Sequence, residues 1–438
     1  MTLARLCLFL VLAAGSLFTR AFAAEPFGAE ITEADADMDK VEIYLHTVNI
    51  GNMIYDNFGH TAIRVVDKRD YTDLLYNWGI FDFDSPVQFS LRFYKGDLNY
   101  KLGAYPYNHG LRNYRSDTRT VWEDRLLLTA VEKTRLLHRL KWNLRSENLY
   151  YNYQYFFDNC STRPRDYLNE ALGGTLETRY AKITSPMTFR DFVLDGYQYT
   201  PGMDVLLDFG MNSNIDRFAS MWETMFHPLH LRSVLTNYSQ NVRPVLQAGT
   251  VIYSHEAPSA YPKLGYSFIL LFGGVPLIPL GFWLYFQQDK VRPSRLLYRL
   301  FGGLSALWLF FGGFFGFLMT LSWAVSGHLD LHHNANQLLC WPIDLLLYGL
   351  AMMIFLRGRP VDLKPKTYTF FRVYLMAHIL ISLLLPLLRV VGLIEQNVNR
   401  VSIYLLPPYI VILLLLFRLG IRNKDDYSLR SASDQRTN

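Results

Sequence analysis

Hydrophobic residues are distributed unevenly along the 438-residue chain. Short stretches that alternate apolar and polar residues fill the first part, whereas long apolar blocks follow from about residue 264, each near the ~20 residues that cross a bilayer. The five blocks are Leu264–Phe286, Phe301–Val325, Leu338–Leu356, Val373–Ile394 and Val401–Phe417. This pattern predicts an α+β domain over residues 24–260, a membrane domain of five transmembrane helices over residues 261–420, and a tail over residues 421–438.

The alternating stretches predict β-strands in the first domain. Three of them are rich in strand-forming residues: Val41–Asn49, Gly59–Asp67 and Leu74–Phe81. The short polar sequence DKRDYTD between the last two predicts an antiparallel hairpin. A helix is predicted over Thr129–Leu144, because Thr129 and Glu132 form a capping-box pattern before residues with helical spacing.

A second helix is predicted over STRPRDYLNEAL, residues 161–172. Asn159 or Ser161 is its expected N-terminal cap, and the pair Gly173-Gly174 is expected to end it. The preceding sequence YYNYQYFF is expected to be extended. Cys160 therefore lies at a predicted helix N-terminus.

The charges of the connections predict the orientation in the membrane. The connection Ser326–Gln337 contains no Lys or Arg, whereas the flanking connections and the tail are basic. Their basic residues are Lys290, Arg292, Arg295, Arg299, Arg357, Arg359, Lys364, Lys366, Arg372, Arg418, Arg422 and Lys424. The positive-inside rule then places residues 24–260 and Ser326–Gln337 outside the cytoplasm. Residues 1–23 fit a signal peptide, with cleavage expected near Ala24.

The remaining composition excludes several classes of partner. The net charge of +5 comes mostly from the cytoplasmic connections, so no nucleic-acid partner is predicted. The histidines of HLDLHH match no metal-ligand spacing, and neither a metal nor another cofactor is predicted. Of the three cysteines, Cys7 lies in the signal peptide and Cys340 at the edge of an apolar block, which disfavours a disulfide with Cys160.

Cys160 is the candidate nucleophile. A helix N-terminus favours a thiolate, so we expect a pKa below the ~8.5 of free cysteine, although a buried, inert thiol is the simpler alternative. His60, which follows Gly59 at the start of a strand, is the candidate base, against a purely structural histidine. A hairpin turn centred near Arg69 places His60 opposite Asn77 or Trp78, and Asn77 is the polar candidate to orient the imidazole.

Four motifs in order, NFGHTAIRV, LYNWGIFDF, FYKGDLNY and YNYQYFFDNCSTRPRD, resemble the Lnb-type periplasmic domain, a family that includes bacterial lipoprotein N-acyltransferases. The order His before Cys is also similar to permuted papain-like (NlpC-type) folds, including lecithin:retinol acyltransferase. The resemblance covers the outer domain, and GHLDLHHNANQLLCWPIDLL resembles the exterior loop of the family. It implies an α+β papain-like domain with Cys160 as nucleophile, His60 as base and Asn77 as third member.

The activity that the resemblance implies is transfer of an acyl chain from a phospholipid, through a Cys160 thioester, to the N-terminal amine of a diacylglyceryl lipoprotein. The implied location is the bacterial inner membrane, with the first domain in the periplasm. Arg163 is a candidate for phosphate binding, although a surface ion pair is the commoner role for such a residue. Interfacial residues expected to line the lipid site are His328, Asn334 and Asn336.

Two other functions are compatible with these residues. A periplasmic cysteine hydrolase, either a phospholipase or a peptidoglycan amidopeptidase, would use Cys160 and His60 but release its product to water. A non-catalytic membrane sensor or scaffold would need neither residue. The apolar blocks argue against a soluble cell-wall peptidase, and the Cys160 and His60 arrangement argues against a scaffold.

Overall fold

The computed structural model describes residues 30–81, 85–200, 202–260, 275–287 and 294–424. The predicted signal peptide, the first part of the first apolar block and most of the tail lie outside the described residues.

The first domain is a mixed α+β structure. Its strands are β1 Val41–Val48, β2 His60–Asp67, β3 Thr72–Ile80, β4 Asn99–Pro106, β5 Val121–Leu126, β6 Tyr150–Asn152, β7 Thr184–Thr188, β8 Phe218–Ser220, β9 Ser239–Gln240, β10 Arg243–Pro244 and β11 Leu246–Tyr253. Its helices are α1 Pro86–Lys95, α2 Tyr107–Ser116, α3 Ala130–Asn143, α4 Thr162–Ala171, α5 Thr175–Tyr180, α6 Phe189–Gly196, α7 Met203–Gly210 and α8 Pro228–Thr236.

A seven-stranded antiparallel sheet, in the order β11-β5-β1-β2-β3-β4-β6, forms the centre of this domain. The three strands predicted from alternation are β1, β2 and β3, and the predicted hairpin joins β2 to β3. Alternate residues of β1, such as Val41, Ile43 and Leu45, are buried in the core. The sheet therefore presents one face to a hydrophobic core that α3 and α4 cover.

The helices begin where their capping residues predict. Thr129 accepts a hydrogen bond from the backbone N–H of Glu132, whose carboxylate accepts one from the N–H of Thr129 in return. This capping box is typically worth about 1 kcal/mol. At the end of α4, Gly173 and Gly174 have φ values of 71° and 79°, a left-handed conformation that favours glycine and ends the helix as predicted.

The second part of the chain consists of apolar helices. They are α9 Leu277–Gln287, α10 Arg295–Val325, α11 Asp344–Arg357, α12 Pro365–Val390 and α13 Asn399–Leu415, with short strands β12 Val361–Leu363 and β13 Ile421–Asn423. Among the described residues, α10 and α12 are long and apolar enough to cross a membrane, at 31 and 26 residues with mean hydropathies of 1.8 and 2.0. The five-helix transmembrane bundle stays a prediction, because α9, α11 and α13 are shorter.

The two parts pack directly against each other. Val205 and Phe209 of α7 lie in the hydrophobic core of the apolar helices, and Phe209 contacts the rings of Phe311 and Phe315. The loop Ser326–Gln337, which follows α10, lies against the first domain, where the N–H of Gly327 donates to the carbonyl of Lys95 over 2.7 Å. We call Ser326–Gln337 the junction loop. It brings the first domain close to the end of a long apolar helix.

Candidate active site

Asn159 fixes the backbone that presents Cys160. Its side-chain oxygen accepts hydrogen bonds from the N–H groups of Ser161 and Thr162, each 2.8 Å long. Its amide nitrogen donates to the carbonyls of Tyr155 and Phe226 over 2.9 and 3.1 Å. Asn159 thus supplies the side-chain acceptor at the start of α4, whereas Ser161 occupies the N-cap position without a capping bond from its own side chain, and its hydroxyl donates to the carbonyl of Met225. Every polar atom of this buried amide is used, so the Cys160 turn is rigid.

His60 is held at the start of β2 by a turn that requires glycine. Gly59 has a φ of +81°, and a Cβ there would lie 2.5 Å from the carbonyl oxygen of Val48. No other residue fits that space without moving β1. Gly59 therefore brings His60 close to the sheet, at the end where β2 begins.

The hydrogen bond between His60 and Asn77 is present, but not through the predicted register. Asn77 pairs across the sheet with Ala62, so the prediction that His60 lies opposite Asn77 or Trp78 is wrong. The turn comprises residues 68–71, and its centre lies beyond Arg69. His60 and Ala62 face the same side of β2, so the ring reaches Asn77 diagonally.

The surroundings of Asn77 determine which imidazole nitrogen is basic. Its amide nitrogen donates to the hydroxyl of Tyr105 and lies 3.5 Å from the hydroxyl of Tyr114. Its oxygen therefore faces the ring, where it accepts from the Nε2–H of His60. This assignment, made from the hydrogen-bond network, leaves Nδ1 as the nitrogen that can accept a proton.

The thiol of Cys160 lies beside the first residues of β2. The backbone N–H of Thr61, next to His60 in the chain, donates toward the sulfur. The Thr61 hydroxyl lies 3.3 Å from that of Ser161, and a Cβ at Gly79 would lie 3.7 Å from the Cβ of Cys160. Cys160 and His60 are both half-buried, so each keeps some surface that a substrate can reach.

Burial determines the protonation of the pair. It raises the pKa of Cys160 to about 11, although the N–H groups of Thr61 and Cys160 and the charge of Arg119 act in the opposite direction. Burial also lowers the pKa of His60 to about 4, helped by Arg119 and opposed by the bond to Asn77. The prediction of a lowered thiol pKa is wrong for the free protein, because desolvation outweighs the helix terminus. The resting pair is a neutral thiol and a neutral imidazole.

Arg119 is a residue of this site that the sequence did not reveal. Arg119 is 5 % exposed, and its guanidinium donates to the carboxylate of Asp56 over 2.6 Å and to the carbonyl of Asn49 over 2.9 Å. The positive charge lowers the pKa of both Cys160 and His60. It therefore favours a thiolate together with an unprotonated base. Arg119 and Asp56 lie 63 residues apart in the chain, and no local pattern indicates that they meet.

Residues 29–194 match the family described as the Lnb N-terminal periplasmic domain. This region is an Lnb domain. The matched range contains Cys160, His60 and Asn77, and it confirms the family that the motifs resemble. No curated protein and no solved structure matches the chain. With the apolar helices α10 and α12, the chain is a membrane protein that has an N-terminal periplasmic Lnb domain.

Arg163 and His328, two of the residues predicted to bind substrate, each bond to a partner within the protein. Arg163 on α4 donates to the carboxylate of Asp158 over 2.6 Å and lies over the ring of Tyr151, so it forms the ion pair that was the alternative to phosphate binding. His328 lies on the junction loop, where its Nε2 bonds to the carbonyl of Phe93 at 2.7 Å. A direct role in substrate binding stays a prediction for Arg163 and His328.

Asn334 and Asn336 join helix α7 of the first domain to the apolar helices. Both side chains are buried, and their amide nitrogens donate to the carbonyl of Phe209 over 3.0 and 2.8 Å. The side-chain oxygen of Asn334 also accepts from the amide of Gln396. Each bond uses one of the two N–H groups of its amide, and a role of Asn334 and Asn336 in binding substrate stays a prediction. Their contribution in this structure is to hold the junction loop.

A cavity of about 310 Å³ lies between the Lnb domain and the junction loop. Tyr153, Phe157 and Phe189 line it on one side, and His328 and Asp330 on the other. Both Cys160 and Cys340 are free thiols. In the described part of the chain, no three His, Cys, Asp or Glu side chains form a cluster that could hold a metal ion.

Proposed function

We propose that this protein is a thiol-dependent N-acyltransferase of the bacterial inner membrane. It would move an acyl chain from a phospholipid to the N-terminal amine of a diacylglyceryl lipoprotein, with the Lnb domain in the periplasm above a multi-pass membrane domain. The main support is the hydrogen bond by which Asn77 orients His60, together with the backbone N–H of the next residue, Thr61, which donates toward the half-buried thiol of Cys160. That arrangement suits covalent acyl transfer, and both substrates are lipids that a domain beside apolar helices can reach.

The first half of the reaction forms a thioester. Nδ1 of His60 takes the thiol proton as the Cys160 sulfur attacks the ester carbonyl of the phospholipid. The tetrahedral intermediate then collapses, the bond from carbon to the glycerol oxygen breaks, and the imidazolium returns its proton to that oxygen. The products are a lysophospholipid and acyl-Cys160. Because the resting pair is neutral, the proton moves during the attack rather than before it.

The second half transfers the acyl chain to nitrogen. The unprotonated α-amine of the lipoprotein attacks the thioester carbonyl, the new C–N bond forms, and the C–S bond breaks. His60 accepts a proton from the attacking nitrogen and delivers it to the Cys160 sulfur. The amide product and the original thiol result, and no cofactor is needed for either half.

Negative charge on the carbonyl oxygen needs hydrogen-bond donors in each half. The backbone N–H groups of Thr61 and Cys160 already face the sulfur and are the nearest candidates. One such donor typically contributes ~3 kcal/mol of transition-state stabilisation. The charge of Arg119 acts in the same direction, because it favours a negative charge at this position.

The proposed reaction is tested with purified protein in detergent, a phospholipid donor and a synthetic diacylglyceryl lipopeptide. The expected product is N-acylated lipopeptide, which mass spectrometry detects. Cys160→Ala should abolish it, whereas Cys340→Ala, at a thiol buried among the apolar helices, should retain it. Release of free fatty acid without N-acylated product would identify a phospholipase instead.

A further inference from the structure

The cavity between the Lnb domain and the junction loop is next to the thiol but does not contain it. Its volume of about 310 Å³ lies at the lower end of the ~300–1,000 Å³ range of small-molecule pockets. Tyr153 connects the two places, since it lines the cavity and its ring stacks on that of Tyr100 with centroids 4.6 Å apart. Tyr153 also lies near Cys160. Burial raises the pKa of Tyr153, and a thiolate at Cys160 would raise it further. Tyr153 is therefore a residue that lines the cavity and also lies near the nucleophile.

The cavity contains the carboxylate of Asp330, on which His328 and Arg217 act without forming an ion pair with it. Burial raises the pKa of Asp330, and the side chain of Asn214 is its hydrogen-bond partner. Among the described residues, no Lys, Arg or His nitrogen lies within 4 Å of the Asp330 carboxylate. Arg217 is close enough to act on it, but the guanidinium donates to Glu223 over 2.6 and 2.9 Å. A cationic ligand would supply the missing partner and keep Asp330 ionised.

Aromatic rings lie beside this carboxylate. Phe157 is 48 % exposed although it is a large apolar side chain, and Phe189 lies next to it with ring centroids 5.7 Å apart. Aromatic faces with a carboxylate are a recurrent arrangement for binding an ammonium group. Arg217, which lies 4.7 Å over Phe189, and His328 also line this cavity. The cavity is thus lined by a carboxylate, a guanidinium and aromatic rings.

The position of the cavity suits the headgroup of a lipid. Gly327, His328 and Asp330 belong to the junction loop, which begins directly after the last residue of the 31-residue apolar helix α10. The end of a membrane-crossing helix lies at the level of the headgroups. The loop is fixed there, because the N–H of Gly327 donates to the Lys95 carbonyl and His328 bonds to that of Phe93.

We propose that this cavity binds the headgroup of the acyl donor and selects a zwitterionic aminophospholipid, with the primary ammonium at Asp330 and the rings and the phosphate near Arg217 and His328. This assignment rests on the proposed acyl transfer. The α-amine of the acceptor is the less fitting occupant, because it must reach the thioester carbonyl itself, whereas a headgroup lies several bonds away from the ester that reacts. Asp330, Phe157 and Arg217 are then specificity residues for the donor.

The first experiment measures acyl-Cys160 formation in a single turnover from phosphatidylethanolamine or phosphatidylglycerol of identical chains. Asp330→Asn keeps the size of the side chain and removes its charge. We expect it to slow thioester formation from phosphatidylethanolamine about tenfold or more relative to phosphatidylglycerol. Asp195→Asn, at an exposed carboxylate of α6, is the matched control and should leave the ratio unchanged. An equal effect of Asp330→Asn on both donors would overturn the proposal.

The other outcomes are also decisive. If Asp330→Asn leaves both donors unaffected but raises the KM for the lipopeptide, the cavity binds the acceptor amine and the donor assignment is wrong. Should Asp330→Asn fail to fold, Phe157→Leu tests the same site. It should weaken the preference for phosphatidylethanolamine about two- to fivefold through loss of the aromatic face.

A binding measurement separates this inference from the proposed function. Cys160→Ala protein is titrated with lysophosphatidylethanolamine and lysophosphatidylglycerol, so no chemistry is required. Tighter binding of the ethanolamine lipid, lost in the double variant with Asp330→Asn, would support the cavity even if no acyl transfer were observed. Equal binding of the two lipids would overturn the headgroup assignment even if the acyl transfer were demonstrated.

Discussion

The Nε2–H of His60 donates to the side-chain oxygen of Asn77, although Asn77 pairs across the sheet with Ala62. The bond is diagonal and joins the first residue of β2 to the middle of β3. It fixes the tautomer and orientation of the imidazole, so that Nδ1 remains to accept a proton. Asn77 is itself held by the hydroxyl of Tyr105. Asn77, which orients the His60 base, is therefore itself held in place by Tyr105.

Replacing Asn77 by alanine should lower the rate of acyl-Cys160 formation. The imidazole would lose the acceptor of its Nε2–H and populate the wrong tautomer, for which a loss of about 10- to 100-fold is expected. Single-turnover measurements with phospholipid alone give this rate. Asn113→Ala, at an exposed position of α2, is the control and should react at the wild-type rate. A wild-type rate for Asn77→Ala would show that Asn77 does not orient the base.

The acid limb of the pH profile should lie well below the ordinary range of histidine. Burial lowers the pKa of His60 to about 4, so the imidazole is unprotonated, and able to accept a proton, at every pH above that value. The rate of acyl-Cys160 formation from phospholipid, a step that does not involve the acceptor amine, should be retained as the pH falls through 6.5 and be lost only as it approaches 4. The dependence of kcat/KM on pH reports this group in the free enzyme. A midpoint near 6.5 would mean that His60 is solvated rather than buried, or is not the base.

The hairpin and the two helices near the site could be predicted because their signals are local. Alternation defines β2 and β3, and Thr129 with Glu132 defines the start of α3. The register was predicted wrongly because the turn, whose last residue Tyr71 has a left-handed φ of 56°, extends beyond the expected centre at Arg69. A shift of one or two residues changes every cross-strand pair.

Contacts between distant parts of the chain could not be predicted from local patterns. Arg119 meets Asp56 across 63 residues, and Asn336 meets Phe209 across 127. Burial also depends on the whole fold, which is why the position of Cys160 at a helix start suggested a lowered pKa while desolvation raises it. The chemical types of Cys160, His60 and Asn77 were visible in the sequence, but their protonation states were not.

Alkylation of Cys160 should speed up with pH well beyond the range of an ordinary thiol. Because burial raises the pKa of Cys160 to about 11, the reactive thiolate is scarce at neutral pH and its fraction still increases above pH 9. The rate of iodoacetamide labelling, followed by mass spectrometry of the intact protein, gives the apparent pKa. Cys160→Ala protein corrects for labelling at other thiols. A rate that levels off below pH 8.5 would show a thiolate stabilised in the free protein.

The orientation of the membrane domain follows from the basic connections. A reporter fused after Asn438 should be cytoplasmic, and one inserted into the junction loop should be periplasmic, because Ser326–Gln337 contains no Lys or Arg whereas the connections on either side of it and the tail are basic. Paired phosphatase and fluorescent-protein fusions measure both sites. A periplasmic C-terminus would contradict the five-span arrangement, and a cytoplasmic junction loop would separate the cavity from the periplasm.

The central claim is that Cys160 carries the acyl chain, and intact-protein mass spectrometry after incubation with phospholipid alone tests it most directly. The protein should gain the mass of one acyl chain, located on Cys160 by peptide mapping, with one lysophospholipid released. Hydroxylamine should remove the added mass, and diacylglyceryl lipopeptide should remove it while becoming N-acylated. Cys340→Ala should behave as the wild type, and Cys160→Ser should gain no acyl chain. Normal N-acylation of the lipopeptide by Cys160→Ser protein would contradict the account.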